Sequence, residues 1–199
     1  MASKRRLGLE NSTSRAALMD GVEGVLRDDG YAALSARSVA ERAGLKHQLV
    51  YYYFQTMDDL LMATYQRHIG RVMQQLEDAS VSDRPLHAIW RVYSNPIDAR
   101  LNMEFLVMSN HNEAIRAATI AMGEESRRLG LDRVAQLLEQ TKLDPEVFGS
   151  LAMTTAITAI GGIVGLESAL GLSVGHAELR AMVEWCLDRL EPEAVTVVS

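Results

Sequence analysis

The chain has 199 residues, of which 48% are hydrophobic and 23% charged, a balance typical of folded globular proteins and not of disordered or fibrous ones. A single cysteine, Cys186, excludes an internal disulfide and a cysteine-based metal cluster and predicts a reducing, cytoplasmic location. The net charge is −6, but residues 1–55 carry eight Lys and Arg against six Asp and Glu, so a mildly basic N-terminal part precedes an acidic remainder.

Apolar residues repeat at the helical period from the first quarter of the chain. Four of them between positions 18 and 26 share one face of a first helix, which Gly30 is expected to end. Ser35 is a suitable cap for a short second helix, and Gly44 separates that helix from a third one over about residues 46–53. Two short helices joined by a glycine turn indicate a helix-turn-helix.

The rest of the chain is also predicted to be helical. Its predicted segments are, in chain order, a long helix capped by Thr56 and running to about Ala79, two short helices that start at Pro85 and Pro96, an amphipathic segment over 113–140 with a bend near Gly130, a helix over 145–170 that starts at Asp144-Pro145-Glu146, and a last helix over 176–190. The predicted fold class is therefore all-α.

Residues 30–65 resemble the DNA-binding domain of the TetR family of transcriptional regulators. The similarity rests on residues at matching spacing, namely Gly30-Tyr31, Leu34-Ser35, Arg37–Leu45, Leu49–Phe54 and Asp59–Leu61. It implies about nine helices, with a three-helix helix-turn-helix domain over 1–55, including a basic arm over 1–11, and a larger ligand-binding and dimerisation domain over 56–199. It also implies a homodimeric repressor that releases a palindromic operator when a small molecule binds.

The third helix is the one that a helix-turn-helix places in the major groove of DNA. Lys46, His47 and Gln48 begin it, and Gln48 is the predicted base reader because a glutamine amide can form two hydrogen bonds with adenine. Tyr51 and Tyr52 resemble the family's phosphate contacts, with packing in the core as the alternative. The predicted DNA-binding set is Ser35, Arg37, Lys46, His47, Gln48, Tyr51 and Tyr52.

Two positions depart from the pattern of the family. Lys46 stands where the family commonly has a serine or threonine that caps the recognition helix, and lysine cannot accept a backbone hydrogen bond. Met57 stands where the family usually has a lysine, so one charged phosphate contact is missing. Lys46 or the basic arm could replace that contact, and a solvated terminus is the alternative interpretation of the arm.

In this family the effector binds in a cavity of the helical core, between the fourth and eighth helices. A wall rich in methionine suits an apolar or amphipathic ligand, and Glu104 could attract a cationic group. Ordinary core packing is the alternative for each residue, and helix capping is the alternative around His111. The predicted effector-binding set is Met62, Tyr65, Trp90, Tyr93, Met103, Glu104, Met108, His111, Met122 and Thr155.

Residues 147–166 contain no charged side chain, and as a helix they would be about 30 Å long, which is enough to cross a membrane. Their serines and threonines, and the lack of flanking basic residues and of an aromatic belt, favour burial against a partner subunit instead. The resemblance places the dimer interface on the helices over 145–170 and 176–190, with glycines allowing close approach across the two-fold axis. The predicted interface set is Ile160, Gly161, Val164, Leu179, Val183, Cys186 and Leu190.

No metal site, cofactor or catalytic motif is predicted. The five histidines show no spacing typical of metal ligands, and no phosphate-binding loop or nucleophile motif occurs. The sequence therefore predicts a cytoplasmic, ligand-responsive regulator that binds double-stranded DNA as a homodimer. The alternatives are a membrane-tethered regulator anchored by residues 147–166 and an enzyme that uses an unrecognised helical pocket.

Overall fold

The computed structural model describes residues 12–192, and every regular element in that range is helical, which confirms the all-α class. The α-helices are α1 (Thr13–Asp28), α2 (Ala36–Arg42), α3 (Gln48–Tyr53), α4 (Met57–Ser80), α5 (Pro85–Tyr93), α6 (Pro96–Ser109), α7 (Glu113–Arg128), α8 (Leu131–Glu139), α9 (Ser150–Ala169) and α10 (His176–Leu190), with a short 3-10 helix at Tyr31–Ala33. The predicted bend near Gly130 is a full break, because this glycine has a φ of +70°, and the described range therefore holds ten α-helices.

The predicted caps are confirmed at the starts of α2 and α4. The Ser35 hydroxyl accepts a hydrogen bond from the Ser38 backbone N–H at 3.1 Å, and the Ser38 hydroxyl accepts one from the Ser35 N–H at 3.0 Å. Thr56 and Asp59 exchange an equivalent pair of bonds at 3.0 and 2.9 Å. These reciprocal pairs satisfy N–H groups that have no partner within the helix and fix where each helix begins.

The predicted helix start at Asp144 is wrong, because α9 begins six residues later, at Ser150. The Asp144 carboxylate accepts a hydrogen bond from the Glu146 N–H at 2.9 Å, and its carbonyl accepts one from the Phe148 N–H at 2.8 Å, which closes a single turn. Gly149 then takes an extended conformation that ends this turn. The residues from Asp144 to Phe148 therefore form an isolated turn and not the first turn of a helix.

The described chain forms two compact units. The first unit contains the residues up to Gly70 together with Leu101–Thr119. Its core includes the predicted apolar face of α1 together with residues from the later helices: Leu18, Val22, Val25, Leu26, Val39, Val50, Phe54, Leu60, Tyr65, Leu101, Phe105, Met108 and Ile115. Within this unit the Arg67 guanidinium joins α4 to α1 through Asp20 and Glu23, at 2.7 and 2.8 Å.

The second unit contains Arg71–Arg100 and the described residues from Ile120 onward. Close contact between α5 and α9 lies at its centre, because Gly161 and Gly165 of α9 leave no room for a side chain. A Cβ atom at Gly161 would lie 2.9 Å from the Tyr93 Cβ, and one at Gly165 would lie 2.9 Å from the Tyr93 carbonyl oxygen. The two glycines therefore bring α9 against α5 of the same protomer.

The Glu191 carboxylate fixes the end of α10 against the start of α5. It is buried and accepts hydrogen bonds from the backbone N–H groups of Leu86 and His87 at 2.7 and 3.0 Å, and from the His87 ring at 2.8 Å. A side chain 104 positions away thus satisfies the N–H groups that α5 leaves open at its first turn.

We expect Glu191→Ala to lower the free energy of unfolding by about 1–3 kcal/mol, because it leaves buried N–H donors without an acceptor. Asp188→Ala is a suitable control, since the Asp188 side chain is 60% exposed on the same helix and its loss leaves no buried backbone group unpaired. Urea denaturation of both variants measures the difference. Equal losses of stability in the two variants would contradict the role given to Glu191.

Candidate nucleic-acid interface

The helices α1, α2 and α3 form a tightly packed group at the N-terminal end of the described chain. A Cβ atom at Gly21 would lie 2.6 Å from the Val39 carbonyl oxygen, so α2 rests directly on the backbone of α1. Arg42 adds ion pairs to Asp28 and to Asp29, the latter at 3.0 Å. This contact was not predicted from the sequence, although a glycine within the amphipathic pattern of α1 is the signal of a close approach.

The turn between α2 and α3 fixes the direction of the short third helix. Gly44 has a φ of +66°, and the Leu45 N–H donates to the Ala40 carbonyl at 2.8 Å. The α3 helix starts at Gln48, two residues later than predicted, and its N-cap residue His47 forms no capping hydrogen bond through its side chain. Val50 and Phe54 are buried and hold α3 against the core of the first unit.

The outer face of α3 is exposed and polar. All seven residues of the predicted DNA-binding set are exposed, including Tyr51 and Tyr52, whose exposed fractions of 54% and 53% exclude core packing as their role in this protomer. Tyr53 is partly buried and packs edge-to-face against Tyr52, with 4.9 Å between the ring centroids. The α3 helix therefore presents two tyrosine rings to solvent.

The structure brings four residues of the predicted set together in one groove between α2 and α3. The groove has a volume of about 350 Å³, and its lining residues are Arg37, Ala40, Glu41, Leu45, Lys46, His47 and Gln48. Arg37 and Lys46 supply positive charge, and Gln48 supplies an amide that both donates and accepts hydrogen bonds. Such a combination fits a phosphate backbone beside a base edge.

The structure shows the surroundings of Met57, one of the two positions that depart from the family pattern. Met57 is partly buried and packs against the core of the first unit, so the start of α4 offers no charged group at that position. The basic arm over 1–11 lies outside the described residues. The replacement for the missing lysine contact therefore stays a prediction, shared between Lys46 and the arm.

The residues predicted for effector binding are divided between the two units. Met62, Tyr65, Met103, Glu104, Met108 and His111 belong to the first, and Trp90, Tyr93, Met122 and Thr155 to the second. Tyr65 and Met108 are buried in one core with Met62 packed against it, whereas His111 is exposed. The Glu104 carboxylate has a partner within the protein, because it accepts a hydrogen bond from the Tyr31 N–H at 3.0 Å.

Hydrogen-bonded polar side chains lie next to the buried Tyr65 in the first unit. Its hydroxyl donates to the Thr119 hydroxyl at 2.6 Å, which in turn donates to the Ile115 carbonyl at 2.8 Å, and burial raises the pKa of Tyr65. Nearby, the buried His68 ring donates through Nε2 to the Asn102 side-chain oxygen at 2.5 Å. Asn102 is exposed and Thr119 is partly buried, and neither was predicted as a site residue, because no local pattern distinguishes them from surface residues.

Helix capping, the alternative given for the segment around His111, is observed at the start of α7. The Asn112 side chain accepts a hydrogen bond from the Ile115 N–H at 3.1 Å, so helix capping is its role. Burial raises the pKa of Tyr93, whose hydroxyl pairs with Ser126. Among residues 12–192 no cluster of side chains suited to a metal ion is present.

The structure places part of the predicted dimer interface inside the protomer. Gly161, Val164 and Val183 are buried, so they have no surface to offer a partner, and the prediction is corrected for these three. Ile160, Leu179 and Leu190 are partly buried in the same core, and Cys186 is exposed. The exposed apolar side chains of α9 and α10, absent from the prediction, include Ile163, Met182 and Trp185.

The α9 helix is the one described helix whose length and composition would allow it to cross a membrane. Core helices of soluble proteins also meet this criterion. Six of its residues are buried in the protomer, namely Thr154, Ile157, Thr158, Gly161, Val164 and Gly165. This one-sided burial is typical of a helix packed on its own domain.

Comparison with known proteins supports the same architecture. Residues 18–64 match the family model described as bacterial regulatory proteins, tetR family. A Rhodococcus sp. protein assigned to the TetR-family transcriptional regulators is 16% identical, with 90% of this chain and 100% of that chain covered at a TM-score of 0.72. A TetR transcription regulator from Haloarcula marismortui ATCC 43049 is 18% identical, with 87% and 95% covered at a TM-score of 0.69.

A transcriptional regulator from Rhodococcus sp. Rha1 is also similar, at 18% identity, with 89% of this chain and 94% of that chain covered and a TM-score of 0.66. At these identities the likeness shows a shared fold over nearly the whole chain. No curated protein sequence matches the chain.

Proposed function

We propose that the chain is a DNA-binding transcriptional regulator of the TetR family, and that it acts as a homodimeric repressor that leaves a palindromic operator when a small molecule binds. The observation that carries this proposal is the exposed face of α3, where Arg37, Lys46, His47 and Gln48 line one groove. A dimer would place two such helices in successive major grooves of one operator.

The proposed functional division lies near residue 55, with DNA binding before it and effector binding and dimerisation after it. The first compact unit extends beyond this limit, because it also includes the first part of α4 and residues 101–119. The buried residues Tyr65 and Met108, proposed to respond to the effector, therefore share one core with the DNA-binding helices. That shared core is the proposed route by which effector binding changes the position of α3.

The proposed effector is apolar or amphipathic, because methionine and aromatic side chains dominate the predicted set and Glu104 is already hydrogen-bonded to the backbone. The proposed location is the cytoplasm, and the proposed role of α9 is in the dimer and not in a membrane. Regulators of this family generally act by binding, and we propose no catalytic activity for this chain. Turnover of a small molecule by the purified protein would contradict that part of the proposal.

The proposed operator contacts are tested by two substitutions on α3. Gln48→Ala is expected to cost about 1–3 kcal/mol of binding free energy on the operator and little on random duplex, because it removes a base contact. Tyr52→Phe is the matched variant one turn further on, and it should weaken both duplexes about equally, because it removes a phosphate contact. The operator is first obtained by sequencing DNA fragments retained by the purified protein.

Binding is measured by fluorescence anisotropy on both duplexes at one fixed salt concentration. The affinity of the unmodified protein should fall steeply as salt rises, since phosphate contacts release counterions. A Gln48→Ala variant that loses as much affinity for random duplex as for operator would show that Gln48 contacts the backbone. A flat salt response, or equal binding of operator and scrambled duplex, would contradict the proposed function itself.

A further inference from the structure

His47 lies directly before α3, in the groove that this helix forms with α2. It is the N-cap residue of α3, with φ and ψ values of −60° and −25°, and its side chain forms no capping hydrogen bond. The residue is exposed, like its neighbours Lys46 and Gln48. The start of the helix therefore does not depend on the imidazole ring, which faces solvent beside the predicted base reader.

Charged side chains from both sides line the groove that contains His47. Arg37 and Glu41 come from α2, and Lys46 precedes His47 in the chain. Without the imidazole the formal charge of this groove is +1, because Arg37 and Lys46 are cationic and Glu41 is anionic. A protonated His47 raises that charge to +2, so its protonation doubles the positive charge of the groove.

The charge of a histidine depends on pH within the physiological range. Histidine is the residue type whose charge ordinarily changes between about pH 5 and pH 8. A neutral imidazole donates through one nitrogen and accepts through the other, whereas the imidazolium donates through both and carries a positive charge. His47 is the one histidine among the seven residues that line the groove, so it is the group there that can link phosphate binding to pH.

We propose that His47 binds a DNA phosphate as an imidazolium and thereby makes the affinity for the operator depend on pH. The inference rests on the proposed function and adds a regulatory input to the same site. A phosphate against the ring favours its charged form, so the complex holds more protons than the separated protein and DNA. By linkage, the affinity rises as the pH falls and decreases as the pH rises.

The charges in the groove support a phosphate as the partner of His47. Within the protein they act on the ring in opposite directions, since Glu41 attracts an imidazolium while Arg37 and Lys46 repel it. A phosphate adds a negative charge that is present only in the complex. Gln48 is uncharged and can both donate and accept hydrogen bonds, which suits a base edge, whereas the cations beside His47 suit the backbone.

The inference is tested by fluorescence anisotropy with the operator and with random duplex at about pH 6 and about pH 8. We expect the unmodified protein to bind both duplexes at least about tenfold more tightly at the lower pH, because one fully linked proton changes affinity about tenfold per pH unit. The slope of log affinity against log salt concentration should also steepen, by about 0.9 for each imidazole that becomes a phosphate contact. A pH dependence confined to the operator would overturn the assignment to phosphate.

Three substitutions before α3 separate the charge of the ring from its shape. His47→Gln keeps a hydrogen-bonding side chain that does not titrate, and it should bind the operator equally at the two pH values. His47→Arg carries a permanent charge, so it should bind at the higher pH at least as tightly as the unmodified protein binds at the lower one. Lys46→Gln is the matched control: it should weaken binding at both pH values and keep the pH dependence, because a lysine ordinarily stays charged in this range.

The outcomes distinguish this inference from the proposed function. Three other histidines, His68, His87 and His176, are buried, and any effect of pH that acts through them is retained in His47→Gln. Binding that does not depend on salt at either pH would contradict the proposed function itself. Salt-dependent operator binding that is the same at both pH values, or a His47→Gln variant with the full pH dependence, would overturn this inference alone.

Discussion

Gly165→Leu is expected to lower the free energy of unfolding by about 3 kcal/mol or more, because it forces a side chain into a contact without free volume. A Cβ atom at this position would lie 2.9 Å from the Tyr93 carbonyl oxygen and 3.1 Å from the Ala99 Cβ. The Tyr93 oxygen belongs to the backbone, so α5 and α9 must separate to make room. Urea denaturation followed by circular dichroism measures the loss.

Gly162→Ala is the matched control three residues earlier on the same helix. A Cβ atom there meets nothing within 4 Å, and alanine has a higher helix propensity than glycine by about 1 kcal/mol. We expect this variant to be as stable as the unmodified protomer or slightly more stable. If Gly165→Leu unfolds at the same denaturant concentration as Gly162→Ala, the close packing of α9 on α5 is not present in solution.

Ile163→Asp is expected to dissociate the proposed dimer while leaving the protomer folded. Ile163 is 56% exposed on α9, so the aspartate is solvated in the monomer and would be buried without a partner in a dimer that uses this side of the helix. A buried unpaired charge costs about 3 kcal/mol or more, equivalent to a rise in the dissociation constant of more than 100-fold. Operator affinity should fall as well, since a single subunit contacts one half-site.

Val183→Asp provides the contrast on the neighbouring helix. Val183 is buried in the core of the second unit, so an aspartate there should reduce the thermal stability of the protomer itself. Sedimentation equilibrium and thermal unfolding of both variants separate the two effects. An Ile163→Asp variant that remains a dimer of unchanged affinity would place the interface on another face.

Local patterns in the sequence were sufficient to predict most of the helices and to identify those of the helix-turn-helix. The apolar spacing of α1 and α4, and the caps at Ser35 and Thr56, depend on residues three or four positions apart, so the sequence contains the whole interaction. The exposed residues of α3 could likewise be named, because a short helix that buries Val50 and Phe54 must expose its other side.

The sequence before α9 contains a local pattern that is compatible with two structures. Asp144 followed by Pro145 occurs both at helix starts and in isolated turns, and the extended Gly149 decided for the turn. The break between α7 and α8 is a similar case. Gly130 allows either a bend within one helix or a left-handed conformation that separates two helices, and its φ of +70° shows the second. In both cases a glycine adopted one of two conformations that the local sequence allows.

The sequence by itself determined that the chain is all-α, where its helix-turn-helix lies and which residues α3 presents, since these follow from helical period, caps and glycine turns. Only the tertiary structure decided which side of α9 is buried. Its residues carry no charge as far as Leu166 and its apolar side chains occur on every side, so no periodicity marks the face that packs on α5, and Gly161 was assigned to a partner subunit instead. Contacts such as Glu191 with Leu86, and Glu104 with Tyr31, also required the structure, because they join residues 105 and 73 positions apart, beyond the range of any local pattern.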